Sequence, residues 1–383
     1  MPKHFDVIVI GVGGMGAATC WQLARRGVRV LGLEQHAIGH DLGSSGGVSR
    51  IVRCGYYEDT NYVPLAARAF EYWEELAAST ADRLWHRCGC LFLGPASEHV
   101  VAATANALSQ HDLEHQILDH ADLKRRYPQF KLPADYACVF EVKAGAVMAA
   151  RAVEVMVQQA HKHGAEIIGN QQVIDLSESG SQISVRTEQA EYLAERVVVT
   201  AGPWTKSLLP SMASHLEVTR QCVFWFQPKK PELFNEKIFP AWICEEPSGE
   251  YWYGMPLLPG QSGMKLAPHV QGIRTDPEKV DRLLVEAELE QAKEILAARL
   301  PDGFGPFLSY KTCLYTNSPD EHFIIDWDKE IPGLCFACGF SGHGFKFTPL
   351  IGEVLADLAQ HGQTKQPIDF LLGDRLAKSS LDE

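Results

Sequence analysis

The sequence offers no export leader at its N-terminal end: in MPKHFDVIVIG a glycine ends the apolar run well short of membrane-spanning length, and no basic segment precedes it. The last residues, KSSLDE, match none of the simple retention or peroxisomal tripeptides, so a cytoplasmic protein is expected. Positive charge is scarce as well. Thirty-five Lys and Arg stand against 48 Asp and Glu, a net charge of −13 that disfavours nucleic acid or an anionic membrane as partner. An anionic small substrate would need a local basic cluster. The ten cysteines are scattered rather than framed. Neither CGC at 88–90 nor CFAC at 335–338 has the second pair that a zinc site requires, so reduced thiols and no metal are expected. Internal repeats, low-complexity tracts and an obvious interdomain linker are all missing. With 46% hydrophobic and 22% charged residues, what remains is a soluble globular chain of one large or two medium domains.

What is present begins at once. FDVIVI reads as a buried parallel strand. It runs into GVGGMG, where Gly11, Gly13 and Gly16 fall at the spacing G-x-G-x-x-G, followed by a helical segment, AATCWQLARRG, a second strand, VRVLGLE, and an acid, Glu34. Gly11 suits the tight turn, Gly13 a close approach of backbone to a pyrophosphate, and Gly16 close packing of helix on strand. The helix N-terminus would stabilise the phosphate charge, and Glu34 would accept hydrogen bonds from ribose hydroxyls. This order points to FAD or NAD without choosing between them.

From about residue 60, Leu65, Ala69, Tyr72, Trp73 and Leu76 recur at helical spacing. Weaker alternation from about 88 to 140 is broken by Pro128 and Pro133, and ARAVEVMVQQAHKHG then predicts a helix stopped by glycine. AEIIGNQQVIDLSES, QISVRTEQA and AERVVVTAGPW read as a β-meander closing on a buried strand that resumes the first sheet and ends at Gly202. Residues 216–316, rich in Phe, Trp, Tyr and Val, predict an antiparallel sheet with one helix over DPEKVDRLLVEAELEQAKEILAARL. They contain Tyr253, Lys265 and His269, and an isolated Cys313 in KTCLYT whose thiol could be core filler or a chemical group. LCFACGFSGHGFKFTPLIGEVLADLAQHG again runs strand, glycine-rich turn, helix. It clusters Gly339, Gly342 and Gly344 around His343 and Lys346, with the helix N-terminus aimed at the turn.

The most specific pieces are SRIVR at 49–53, KTCLYTNSPDEHFIID at 311–326 and CGFSGHGFKF at 338–347. With them, nearly the whole chain resembles the monomeric sarcosine oxidase group, which includes N-methyltryptophan and pipecolate oxidases, within the D-amino-acid-oxidase-like flavoproteins. The expected architecture is α/β. A discontinuous Rossmann-type FAD-binding domain (1–85, 145–215 and 317–383) joins a second, α+β substrate domain with a mostly antiparallel sheet (86–144 and 216–316). The resemblance implies a monomeric enzyme that uses FAD to oxidise a secondary amino acid, N-methyl or cyclic, to an imine, with oxygen as acceptor and hydrogen peroxide released. The alternative is a related flavin dehydrogenase that passes electrons to a quinone or protein.

On the matching positions the resemblance implies that Cys313 links covalently to the flavin 8α carbon and that Arg50 lies beside the flavin. Arg53 and Lys346 would pair with the substrate carboxylate. His343 would stand beside flavin and substrate, a catalytic His269 with Tyr253 and Tyr315 would line the pocket around the amine, and Lys265 would activate oxygen. Gly11, Gly13, Gly16, Glu34, Val173, Gly202, Gly342, Gly344 and Lys346 would complete the cofactor contacts. Phe224, Trp225, Trp242 and Met255 are expected to set the pocket volume. The sequence departs from the family pattern at Cys20, where a small alanine is expected, and at Gly46, where a histidine is common.

Overall fold

The computed structural model describes residues 2–379 apart from 98 and 271, with side chains described up to 376. The strand Lys3–Ile10 lies in the middle of a sheet, parallel to Val30–Leu33 on one side and to Glu191–Val199 on the other. Glu166–Ile168 extends the parallel sheet beyond Val30–Leu33. Leu334–Cys338 extends it beyond Val197–Val199, and Ile324–Trp327 closes that edge antiparallel. Val7 and Val9 enter one core while Ile8 and Ile10 enter another on the opposite face. A strand apolar on both faces needs cover on both, which is why FDVIVI is continuous rather than alternating. The helices Gly14–Ala24, Tyr62–Ala78, Ala149–Lys162 and Thr348–His361 cover one face. The meander predicted between 165 and 200 is present. Val173–Ser179 pairs with Gln182–Thr187, which pairs with the first half of Glu191–Val199.

Two helices follow the sequence signals closely. Leu65, Ala69, Tyr72, Trp73 and Leu76 are all buried on the helix Tyr62–Ala78. The helix Ala149–Lys162 stops at Gly164, φ +95°, where the Gly164 and Ala165 amides cap the carbonyls of His161 and Ala160.

The second sheet has nine strands, running from Ile273–Arg274 through Glu217–Phe226, Met264–His269, Tyr251–Gly254, Ala241–Glu245, Cys90–Pro95 and Tyr136–Glu141 to Gln116–Leu118, with the long Phe307–Asn317 also on Glu217–Phe226. All its pairings are antiparallel except Ala241–Glu245 with Cys90–Pro95. A small third sheet, Ser49–Val52, Gly145–Met148 and Trp85–His86, sits between the two.

The chain departs from expectation in two stretches. Residues 99–126, read as weak alternation, carry the helices His99–Gln110 and His120–Arg126, the second capped by the Asp119 side chain accepting from the Asp122 amide at 2.8 Å. The helix predicted from residue 276 begins only at Glu286. Residues 276–285 form a strap instead, because Arg220 takes two of its carbonyls and Arg282 is drawn to carbonyls outside it. Arg220 donates to the carbonyls of Asp281 and Leu283, each at 2.9 Å, and Arg282 reaches out of the segment to the carbonyls of Leu42 and Thr312. Among the described residues no helix is long and apolar enough to cross a membrane, and no group of three or more His, Cys, Asp or Glu side chains is placed to hold a metal.

Candidate active site

Sterics build the first turn. Gly11 has φ +86°, and a Cβ there would lie 2.7 Å from the Thr200 carbonyl oxygen; a Cβ on Gly16 would fall 1.9 Å from the Gly11 carbonyl oxygen. Gly16 therefore lets the helix start on top of the turn. Around the turn lies a cavity of about 380 Å³ whose wall includes Gly11, Gly13, Glu34, Val173, Gly202, Gly342 and Gly344. Gly16 stands behind it.

Glu34 closes one wall. Its carboxylate accepts from the amides of Val12 at 2.8 Å and His36 at 2.9 Å, and lies 3.3 Å from His40 Nε2. The Leu42 amide donates to His40 Nδ1 at 3.1 Å, so Nε2 carries the ring proton and turns it toward Glu34. Burial pushes the Glu34 carboxyl up, but His40 and the two amides outweigh it, and its pKa lies below the ordinary carboxylate value.

These residues fit a flavin dinucleotide. The N-cap Gly13 has no side chain to cap the helix Gly14–Ala24, and although the Gly14 amide donates to Ser45 Oγ at 3.0 Å, the helix N-terminus lines the cavity at Gly13, Gly14 and Met15, where its positive end favours a phosphate. Gly202, at φ +53°, has open space where a side chain would stand. Trp204 Nε1, Thr316 Oγ1 and Thr348 Oγ1 belong to wall residues, are buried and make no hydrogen bond within the protein. Buried donors left unpartnered by their own chain are costly, and a polar ligand relieves them.

A smaller cavity of about 80 Å³ adjoins the first, the two sharing Arg50, Tyr315, Gly342 and Phe345. Its wall brings together Arg50, Arg53, Tyr253, His269, Cys313, Tyr315, His343 and Lys346, from four strands and one glycine-rich turn. Gly342 is required there, since a Cβ would lie 2.3 Å from the Tyr315 ring.

Arg53 is 3% exposed. It donates to the Gly55 carbonyl and to the Glu58 carboxylate, and its guanidinium carbon lies 4.7 and 4.9 Å from the Tyr56 and Tyr57 ring centroids. Burial pushes Glu58 up, but Arg53, Lys346 and His343 overcome it and lower its pKa to about 2. Lys346 Nζ donates to the His343 carbonyl at 2.7 Å, and burial followed by the charge of Arg53 holds its pKa well below the ordinary lysine value. His343 contacts the Tyr56 hydroxyl through Nδ1 and the Glu321 carbonyl, at 2.9 Å, through Nε2. A carbonyl only accepts, so Nε2 bears the proton and Nδ1 accepts from Tyr56. Burial and Lys346 push the ring's pKa down to about 3, so it is neutral at ordinary pH with both nitrogens engaged. Burial also lowers the pKa of His269.

Lys265 behaves differently from its neighbours. Its ammonium, 1% exposed, donates to the carbonyls of Gly47 at 3.1 Å and Ser49 at 2.7 Å, and it lies on neither cavity wall. Burial and Arg50 push its pKa well below the ordinary value. Arg50 donates to the carbonyls of Ser49 and Ser44 at 2.9 and 2.8 Å. Cys313 is 2% exposed, and a Cβ on Gly47 would lie 3.1 Å from its sulfur and 3.0 Å from Arg50 Nη1. Lys311 turns away to pair with Asp41. Gly46, the departure from the family pattern, has a local cause: a Cβ there would lie 2.7 Å from the Asp41 carbonyl oxygen.

The residues expected to set the pocket volume do not line it. Phe224 and Trp242 point into the core of the second sheet, and Trp225 and Met255 are buried off the wall. Ile51, Tyr57, Gln221, Val223 and Ile243 line it instead. On Glu217–Phe226 side chains alternate, so Gln221 and Val223 face the cavity while Phe224 and Phe226 join the core, with Cys222 in the core and at the edge of the wall. Sequence reasoning also missed Glu58, His40 and Trp204. Glu58 carried a signal, an acid five residues after Arg53 in the aromatic turn GYYED.

The family model DAO, described as FAD dependent oxidoreductase, matches residues 6–358. Monomeric sarcosine oxidase of Streptomyces avermitilis is 37% identical over 380 residues, 98% of this chain and 99% of its own length. N-methyl-L-tryptophan oxidase of Citrobacter koseri is 34% identical over 358 residues, covering 93% and 95%. Among solved structures, NikD, an unusual amino acid oxidase essential for nikkomycin biosynthesis, is similar with a TM-score of 0.83 and 25% identity over 97% of both chains.

Proposed function

The chain belongs to the DAO family of FAD-dependent oxidoreductases, and from that premise we propose that it oxidises a secondary amino acid, N-methylated or cyclic, to the imine, with oxygen as acceptor and hydrogen peroxide released. One observation carries this reading: two buried cations, Arg53 and Lys346, share a small cavity that adjoins the dinucleotide cavity. The relatives' names agree, since sarcosine and N-methyltryptophan are both N-methyl amino acids. When bound, the flavin supplies a two-electron acceptor for the carbon–hydrogen bond beside the amine.

The chain's own residues bind and orient. Arg53 offers a planar fork and Lys346 a point charge to the carboxylate, and burial strengthens both attractions. His343 holds its neighbours in place rather than moving a proton. His269, kept neutral by burial, is the imidazole available to accept a hydrogen bond from the amine. Tyr253 and Tyr315 enclose the amine side, and Arg50 stands at the shared wall beside the flavin. In this reading the FAD-binding part comprises 1–85, 145–215 and 317–383, the substrate part 86–144 and 216–316, Cys313 carries the flavin covalently, and the enzyme works as a cytoplasmic monomer.

A second reading, a flavin dehydrogenase using a quinone or protein acceptor, draws on Lys265. Its ammonium is spent on two carbonyls rather than aimed at a cavity. Oxygen uptake and peroxide release across a panel of N-methyl and cyclic amino acids decide between them. Turnover with a dye or quinone but none with oxygen sinks the oxidase reading, and purified protein without flavin sinks both.

A further inference from the structure

Cys313 follows two residues that are both tied to one loop, Asp41–Gly47, from the other end of the chain. Lys311 Nζ lies 2.5 Å from Asp41 Oδ2. Arg282 donates through Nη2 to the Leu42 carbonyl at 2.7 Å and through Nη1 to the Thr312 carbonyl at 3.2 Å, and the Thr312 hydroxyl donates back to the Arg282 carbonyl at 3.2 Å. One planar fork thus spans the loop and the residue immediately before the cysteine. Lys265 holds the far end of the loop through the Gly47 and Ser49 carbonyls.

Between these ties the loop meets the thiol with backbone alone. Gly47 lies against the sulfur, and Gly46 has no room for a side chain because the Asp41 carbonyl occupies it. The register between loop and sulfur is therefore imposed from outside, by the strap 276–285, whose Glu278 reaches the wall of the dinucleotide cavity. This is also the stretch whose helical sequence pattern gives way, with Arg220 on two of its carbonyls and Arg282 bonded outside it.

We propose that Arg282 is a positioning residue for flavin attachment: by fastening the loop to the Cys313 strand, it holds the sulfur and Arg50 in the register at which the thiol meets the flavin edge. The inference rests on the reading that Cys313 carries the flavin. In that step the sulfur bonds to the 8α carbon, and the thiol proton and one 8α proton leave. The electron pair of the broken carbon–hydrogen bond passes into the ring system, and dioxygen takes it up to form hydrogen peroxide. Lysine at 282 keeps the charge but cannot direct two coplanar donors at two carbonyls.

Protein produced under riboflavin limitation, given FAD, allows two separate measurements: total flavin bound, and flavin that stays with the polypeptide after acid precipitation. Arg282→Met is expected to bind flavin within about twofold of wild type yet to attach it about tenfold more slowly, the effect of losing charge-assisted hydrogen bonds. Arg282→Lys falls between, and Asp41→Asn, which removes an exposed tie, slows attachment by a smaller factor. Attachment at the wild-type rate in both Arg282→Met and Asp41→Asn overturns the proposal. So does loss of all flavin binding in both Arg282→Met and Arg282→Lys, which would make the residue a general prop of the fold. Wild-type protein whose flavin washes out in acid ends the covalent reading itself, a failure distinct from that of Arg282.

Discussion

Glu58→Gln keeps the shape of the side chain and leaves the buried Arg53 guanidinium without its carboxylate. Burial raises and Arg53, Lys346 and His343 lower the Glu58 pKa, and the balance takes it from 4.5 to about 2. At about 1.4 kcal/mol per unit this depression corresponds to about 3 kcal/mol, at the lower end of the roughly 3–5 kcal/mol lost when one member of a buried pair is removed. A chain of this length unfolds with an entropy of about 0.8 kcal/mol/K, so Tm should drop by about 4–6 °C. The group's folded pKa lies below its unfolded one. Its contribution is therefore complete above about pH 4.5 and is lost as pH falls toward about 2, so the Tm gap between variant and wild type closes over that window. A small monocarboxylate without an amine should raise Tm more in the variant than in wild type, because it finds an unpaired guanidinium. The double variant Arg53→Met/Glu58→Gln should recover part of the loss, since it leaves no bare charge behind. Differential scanning calorimetry measures all three proteins, with and without the carboxylate. A Glu58→Gln Tm within about 1 °C of wild type, or equal carboxylate shifts in both, would refute the reasoning.

Further outcomes follow from the same geometry. Gly16→Ala places a methyl 1.9 Å from the Gly11 carbonyl oxygen, so the purified variant should carry little flavin, read from its visible spectrum, while Gly13→Ala, with its nearest neighbour at 3.6 Å, should retain more. Cys313→Ser should release all its flavin on acid precipitation, and a yellow pellet would contradict the assignment. Lys346 has a pKa well below its ordinary 10.5 through burial and Arg53; it loses its proton over a pH range below that value, so KM for the amino acid should rise with pH there. Lys346→Met should raise KM about 100-fold and abolish that limb of the profile. His40→Ala removes the donor facing Glu34 and should weaken FAD binding about tenfold in the Cys313→Ser background, measured by flavin fluorescence.

Local features made the nucleotide end legible. A continuous β-branched strand, three glycines at fixed spacing and an acid lie within 34 residues, and each constrains the backbone by itself. The amino-acid end was legible only through resemblance, because its side chains come from strands far apart in sequence. The strap at 276–285 was misread because Arg220 takes two of its carbonyls and Arg282 bonds to carbonyls of distant segments, long-range ties invisible to periodicity. The helix His99–Gln110 was overlooked although Val100, Val101, Thr104, Ala107 and Leu108 recur at helical spacing and are buried. Large aromatics suggested a pocket, yet Phe224 and Trp242 went to the core. Strand parity decides which residues see the ligand, and composition does not reveal parity.

The central strand Lys3–Ile10 waits for partners made much later. Its neighbour Glu191–Val199 needs Leu334–Cys338, and the helix Thr348–His361 seats Gly352 where a Cβ would lie 2.5 Å from the Ala18 carbonyl carbon. A ribosome adds about 5–20 residues per second, so the nascent N-terminal half spends many seconds with its glycine turn exposed and no lid to close on it. Loading of the coenzyme is thereby deferred until translation is nearly finished. A stop codon upstream of the last long helix yields a polypeptide that cannot retain it, however intact its opening fingerprint.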